Sequence, residues 1–88
     1  MTRKLKKKRR RVHVFRGVPI KDVAFKLIFE GYEFRPSPNG EGGVIYRALH
    51  NHVKLVGEYE LVGGGRADIR TKYAPLIKAL RKLRKELR

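Results

Sequence analysis

At 88 residues, with 23 Lys and Arg against 8 acidic side chains, the chain has room for one small domain and carries a formal charge of +15. A hydrophobic share of 41% excludes a wholly disordered chain, and the absence of cysteine excludes disulfides and leaves three histidines as the only soft metal ligands. Neither a metal site nor a cofactor is expected. No run approaches the roughly 18 consecutive apolar residues of a membrane span, and the basic start lacks the apolar segment of a secretory signal, so no membrane contact is expected and the protein is placed in the cytoplasm. Abundant Lys, Arg and Glu with no Cys or Trp and one Met lean towards a thermophilic source.

The charge is unevenly distributed. Residues 1–11 contribute +8, residues 75–88 contribute +5, and the long middle, 12–74, only +2. Within the first segment Arg3, Lys4, Lys6, Lys7, Lys8, Arg9, Arg10 and Arg11 repel one another at helical or extended spacing, and past Met1 only Leu5 is apolar. Residues 1–11 therefore read as an arm, disordered when free, leading into a single domain over 12–88. A polyanion would relieve the repulsion and release counterions, which makes nucleic acid the natural partner. If six to eight arm residues each displace a counterion, binding should fall with salt at a log-log slope on the order of −4 to −7. A solubilising or nuclear-import-like tail is the blander alternative.

In chain order, Val12-His13-Val14-Phe15 reads as a short strand ended by Gly17. In the next segment Val23, Phe25, Leu27 and Phe29 alternate as a strand would. Ile20, Val23, Ala24, Leu27 and Ile28, however, follow the spacing of a helical face, and helix is preferred. Pro19 suits its first turn, and Gly31 reads as a left-handed C-terminal cap running into Tyr32-Glu33-Phe34. The turn formers over 36–43, with Asn39-Gly40 at their centre, should connect antiparallel strands at 32–35 and 44–50. Residues 53–62 resume a strand in which Val53, Leu55, Tyr59 and Leu61 could share a face, with Gly57 as a bulge or bend. Gly63-Gly64-Gly65 breaks it, and 66–71 adds a short edge strand. Leu76, Leu80, Leu83 and Leu87, widened by Ile77, then mark an amphipathic helix over about 72–88 with Pro75 in its first turn. The expected fold is α+β: a small antiparallel sheet of three to four strands packed against one or two helices.

The terminal helix places Lys78, Arg81, Lys82, Arg84, Lys85 and Arg88 around its leucine stripe with only Glu86 to offset them, whereas an ordinary solvated face mixes signs. One face can pack on the sheet while the other meets phosphates. Most of the eight aromatic residues are read as core, leaving Tyr32 and Tyr73 as candidates for base contact. His50-Asn51-His52 spells the letters of a nuclease motif without its further ligands, and surface histidines at a strand turn are far more often idle. The chain offers no convincing carboxylate pair, its lone serine, Ser37, sits in a proline-flanked loop, and the glycine run lacks the lysine and hydroxyl of a phosphate-binding P-loop. No enzyme is expected, and neither catalytic nor metal residues are assigned.

The order helix, strand, strand, strand, helix from 19 to 87 resembles the αβββα layout of double-stranded-RNA-binding domains and of the small bacterial toxin ribonucleases that share it. The resemblance implies RNA contacts at the 36–43 loop and at Arg66, Arg70 and Lys72. Where the toxins carry a sheet histidine, this chain has Gly43-Val44-Ile45. The near-neutral core with basic ends is also similar to small archaeal-type ribosomal proteins, which implies rRNA and neighbouring ribosomal proteins as partners. The resulting expectation is an RNA-binding structural component of a ribonucleoprotein. A double-stranded-DNA-binding chromatin protein or regulator is the alternative, though no helix-turn-helix is visible. A toxin-like ribonuclease ranks below it.

Overall fold

The computed structural model describes residues 11–87. The chain runs β1 (His13–Pro19), α1 (Ile20–Ile28), β2 (Tyr32–Pro36), β3 (Gly42–Ala48), β4 (Val53–Gly63), β5 (Arg66–Thr71) and α2 (Ala74–Glu86). All neighbouring strands are antiparallel, in the spatial order β1-β5-β4-β3-β2. α1 carries the chain from one edge strand to the other. Both helices lie on the same face of the sheet, where Val23 and Leu27 of α1 and Leu76, Ile77, Leu80 and Leu83 of α2 share one core with Phe15, Ile45, Tyr59 and Ile69. Burying each such side chain stabilises the fold by about 1.5–3 kcal/mol.

The α+β class stands, but the sheet has five strands and not three to four. The difference lies in β1. Its pairing with β5 converts 66–71 from the expected edge strand into an interior one, hydrogen-bonded on both sides. Nor does Gly17 end the first strand. Pairing resumes at Val18↔Ala67 and Pro19↔Arg66 after a register shift, with Gly17 at φ +62 in that irregularity. Its amide donates to the Asp68 carboxylate at 2.8 Å and its carbonyl accepts from the Arg66 guanidinium at 2.8 Å. A side chain at Gly17 would be strained in this left-handed conformation, so glycine here permits the bulge and does not stop the strand.

The preference for helix over 20–28 agrees with α1, and Gly31 follows it at φ +87. α2 is shorter than the expected 72–88, with Tyr73 as its N-cap and Pro75 in the first turn. In β4 the shared face expected for Val53, Leu55, Tyr59 and Leu61 is broken. Ile45 pairs with Gly57 and Tyr46 with Leu55, so Val56 is an extra residue. That insertion changes the phase of the side-chain alternation: Val56 turns into the core and Leu55 to the open face. Among the described residues, no helix is long and apolar enough to cross a membrane.

Candidate nucleic-acid interface

Strand pairing sorts the charges onto two unlike faces. Ala67, Ile69 and Thr71 point from β5 into the core, so Arg66, Asp68 and Arg70 point the other way, to the sheet face opposite α1 and α2. That open face gathers Arg16, Arg35, Arg66, Arg70 and Lys72 with Glu33, Glu58, Glu60 and Asp68, five bases against four acids. All three ion pairs among the described residues lie there: Arg16 with Asp68 at 3.6 Å, Arg35 with Glu33 at 2.9 Å, and Arg70 with Glu60 at 3.4 Å. The hydrogen bond from Arg35 holds the Glu33 carboxyl below its ordinary range and raises the Arg35 guanidinium. The same face holds a shallow groove of about 470 Å³ lined by Val12, Val44 and Leu55 with Arg70 and Lys72.

The helix face is different. Lys78, Arg81, Lys82, Arg84 and Lys85 of α2 are all exposed, and among the described residues none has a carboxylate within ion-pair distance. The Arg84 guanidinium lies over the Phe15 ring with 5.4 Å to its centroid, spreading its stem on the sheet while leaving its charge at the surface. Between α1 and α2 runs a groove of about 690 Å³ that Lys78 and Lys82 line from one side and Phe25 and Phe29 from the other.

A third basic group sits at the end of the sheet near the start of α2. Arg47 lies over the rings of Tyr32, 4.8 Å to the centroid, and Tyr73, 5.8 Å, and donates to the Tyr73 hydroxyl at 3.2 Å. That hydrogen bond raises Arg47 above its ordinary value, against the opposing effect of its own desolvation. Lys54 approaches the Tyr73 ring at 5.1 Å. Tyr32 is therefore withdrawn from base contact: it is 2% exposed, covered by Arg47, and burial pushes its hydroxyl up despite the nearby guanidinium. Tyr73 is half-buried and its ring already faces two cations.

Of the residues expected to touch RNA, the structure brings together Lys78, Arg81, Lys82, Arg84 and Lys85 along α2 and places Arg66, Arg70 and Lys72 apart from them, on the open-face side. Arg66 is engaged with the Gly17 carbonyl and Arg70 with Glu60. Arg11 is exposed just before β1, while Arg3, Lys4, Lys6, Lys7, Lys8, Arg9, Arg10 and Arg88 lie outside the described residues. His50 and His52 are exposed in the β3–β4 turn, where His52 Nδ1 meets Asn51 Oδ1 at 3.1 Å. Among the described residues, no three His, Cys, Asp or Glu side chains come together to hold a metal ion.

Assigning most aromatics to the core missed Phe25 of α1 and Phe29 at its C-cap, both exposed. At about 100° per residue, Phe25 falls roughly 200° around the helix from Val23, so the helical wheel was the signal that could have found them. No protein-family model, curated protein or solved structure matches the chain.

Proposed function

We propose that this chain is an RNA-binding structural component of a ribonucleoprotein, and specifically a ribosomal protein that binds rRNA through its basic arm and the exposed face of α2. The observation that supports the reading is the contrast between the two faces: Arg16, Arg35 and Arg70 of the open sheet face are paired with carboxylates, whereas the α2 bases have no such partners among the described residues. Unpaired cations on a rigid element repel one another, and phosphates remove that repulsion while releasing counterions. The α2 stripe of Leu76, Leu80 and Leu83 anchors the helix to the sheet, so the charges are presented at fixed spacing. Binding of this kind reads backbone shape and charge, without catalysis or a cofactor. Cytoplasmic RNA and neighbouring ribosomal proteins are the partners that follow from it.

The test is titration of the full chain into a labelled RNA hairpin and a DNA duplex of equal length between 50 and 200 mM salt, with two variants. Lys78→Gln/Lys82→Gln/Lys85→Gln should reduce the log-log salt slope by about 2 to 3, and Arg35→Gln/Arg70→Gln should leave it within about half a unit. Salt-insensitive binding, or none, would overturn the reading, and tighter binding to the duplex DNA would move it to a chromatin or regulatory protein. Sedimentation of native lysate with ribosomal subunits, abolished by RNase, is the expected result for the ribosomal assignment.

A further inference from the structure

α1 and its C-cap residue leave three large apolar side chains in solvent: Phe25, Ile28 and Phe29 are 66%, 61% and 76% exposed. The core does not need them, because Val23 and Leu27 supply its contacts from the opposite side of the helix. Phe25 and Phe29, one turn apart, meet edge to face with centroids 5.4 Å apart and planes at 88°. Each ring restricts the other's rotation, which limits the entropy lost when a flat ligand stacks on either.

The surroundings of these rings select among ligands. Their groove is also lined by Lys26, Lys78 and Lys82, together with Glu30 and Glu86. An apolar protein partner would have to desolvate those ammonium groups, whereas a flat aromatic group attached to an anionic chain satisfies rings and lysines together. An unpaired nucleotide has that composition. The two carboxylates leave the groove a net charge of only +1, so phosphate attraction alone holds a strand weakly there and the ring faces must carry the selectivity. Glu30 and Glu86 can in addition accept hydrogen bonds from exocyclic amines of bases. A duplex hides its base faces and cannot use the rings, although it can still meet the outer α2 charges.

We propose that the groove between α1 and α2 is a site for unpaired nucleotides of RNA, with Phe25 and Phe29 stacking on bases and Lys78 and Lys82 holding the adjoining phosphates. The inference rests on the RNA-binding reading above and refines it: the protein would bind where a folded RNA exposes a single-stranded loop or bulge beside a helix.

The experiment compares the full chain with Phe25→Leu/Phe29→Leu, which keeps the apolar surface and removes the π faces, and with Phe25→Tyr/Phe29→Tyr, which keeps them. Each is titrated into a 12-nucleotide adenosine-rich RNA strand and a 12-base-pair RNA duplex, after circular dichroism and thermal unfolding verify the fold. The leucine variant should bind the single strand about tenfold or more weakly, with the salt slope and duplex affinity unchanged, and the tyrosine variant should bind like the wild type. Wild-type affinity of the leucine variant for the single strand overturns this site while leaving RNA binding intact, as does an equal loss on strand and duplex. Concentration-dependent self-association that blocks binding of the single strand would show the patch covered by a second copy, and overturns it too. Failure of the wild-type chain to bind either RNA removes both this site and the function it refines.

Discussion

The Thr71 hydroxyl donates to the carbonyl of Val56 at 2.6 Å, tying the end of β5 to the extra residue in the β4 bulge. The same oxygen accepts the Tyr73 amide at 3.0 Å, so one buried side chain joins the bulge, the sheet and the entry to α2. Thr71→Val keeps the shape and leaves the carbonyl and the amide without that partner, which should cost about 1–3 kcal/mol, while Thr71→Ser should stay close to wild type. Urea unfolding measures it, and equal midpoints for the valine variant and wild type would remove the hydroxyl from the stability account.

Gly57 lies beside this link, where the backbones come close. A Cβ at position 57 would stand 2.8 Å from the Arg70 carbonyl oxygen and 3.2 Å from the Thr71 Cβ. The nearer obstacle is backbone held in the β4–β5 ladder, so Gly57→Ala should destabilise by about 1–3 kcal/mol. A Tm at or above that of wild type would show that the strands can move apart freely.

Asp68 serves β1 through the Gly17 amide more than through Arg16, whose side chain is 78% exposed and 3.6 Å away. Asp68→Ala should cost about 1 kcal/mol and accelerate amide exchange along His13–Pro19. Asp68→Asn, which keeps an oxygen for the amide, should show little of either effect. Equal exchange rates in both variants would assign the role to the ion pair.

Burial raises the hydroxyl pKa of both Tyr32 and Tyr59. A tyrosine with a raised folded-state value contributes stability that is fully present below its unfolded value, about pH 10, and is lost as pH climbs through the folded one. Unfolding free energy should therefore drop above about pH 10, and Tyr32→Phe should lose less over the same interval. Parallel pH profiles for the variant and wild type would remove Tyr32 from the alkaline transition.

Deleting residues 1–11 takes away eight positive charges and ends before β1 begins at His13. RNA affinity should fall and the salt slope should become shallower by about 4 to 7, with thermal unfolding unchanged. An unaltered slope in the titration described above would confine phosphate binding to the domain.

Much of this protein is carried by periodicities that need no partner. The leucine spacing of α2, the helical face of Val23 and Leu27, and the alternation of Ala67, Ile69 and Thr71 are each set by the rotation per residue of one element, so they can be read from the chain alone. So can the concentration of positive charge at the two ends. What the chain alone leaves undecided is everything that depends on which strand lies beside which. Gly17 reads as a terminator until its amide meets Asp68, 51 residues away. Residues 66–71 read as an edge until β1 pairs with them. Gly57 marks a bulge, but the inward turn of Val56 and the outward turn of Leu55 follow only from the β3 register. The segregation of charge arises in the same way, because non-local pairing set Arg16 beside Asp68 and Arg70 beside Glu60 on one face and gave the α2 bases on the other no carboxylate partner among the described residues. Local rotation angles are a property of sequence; partners distant along the chain are chosen by the packing of the whole core.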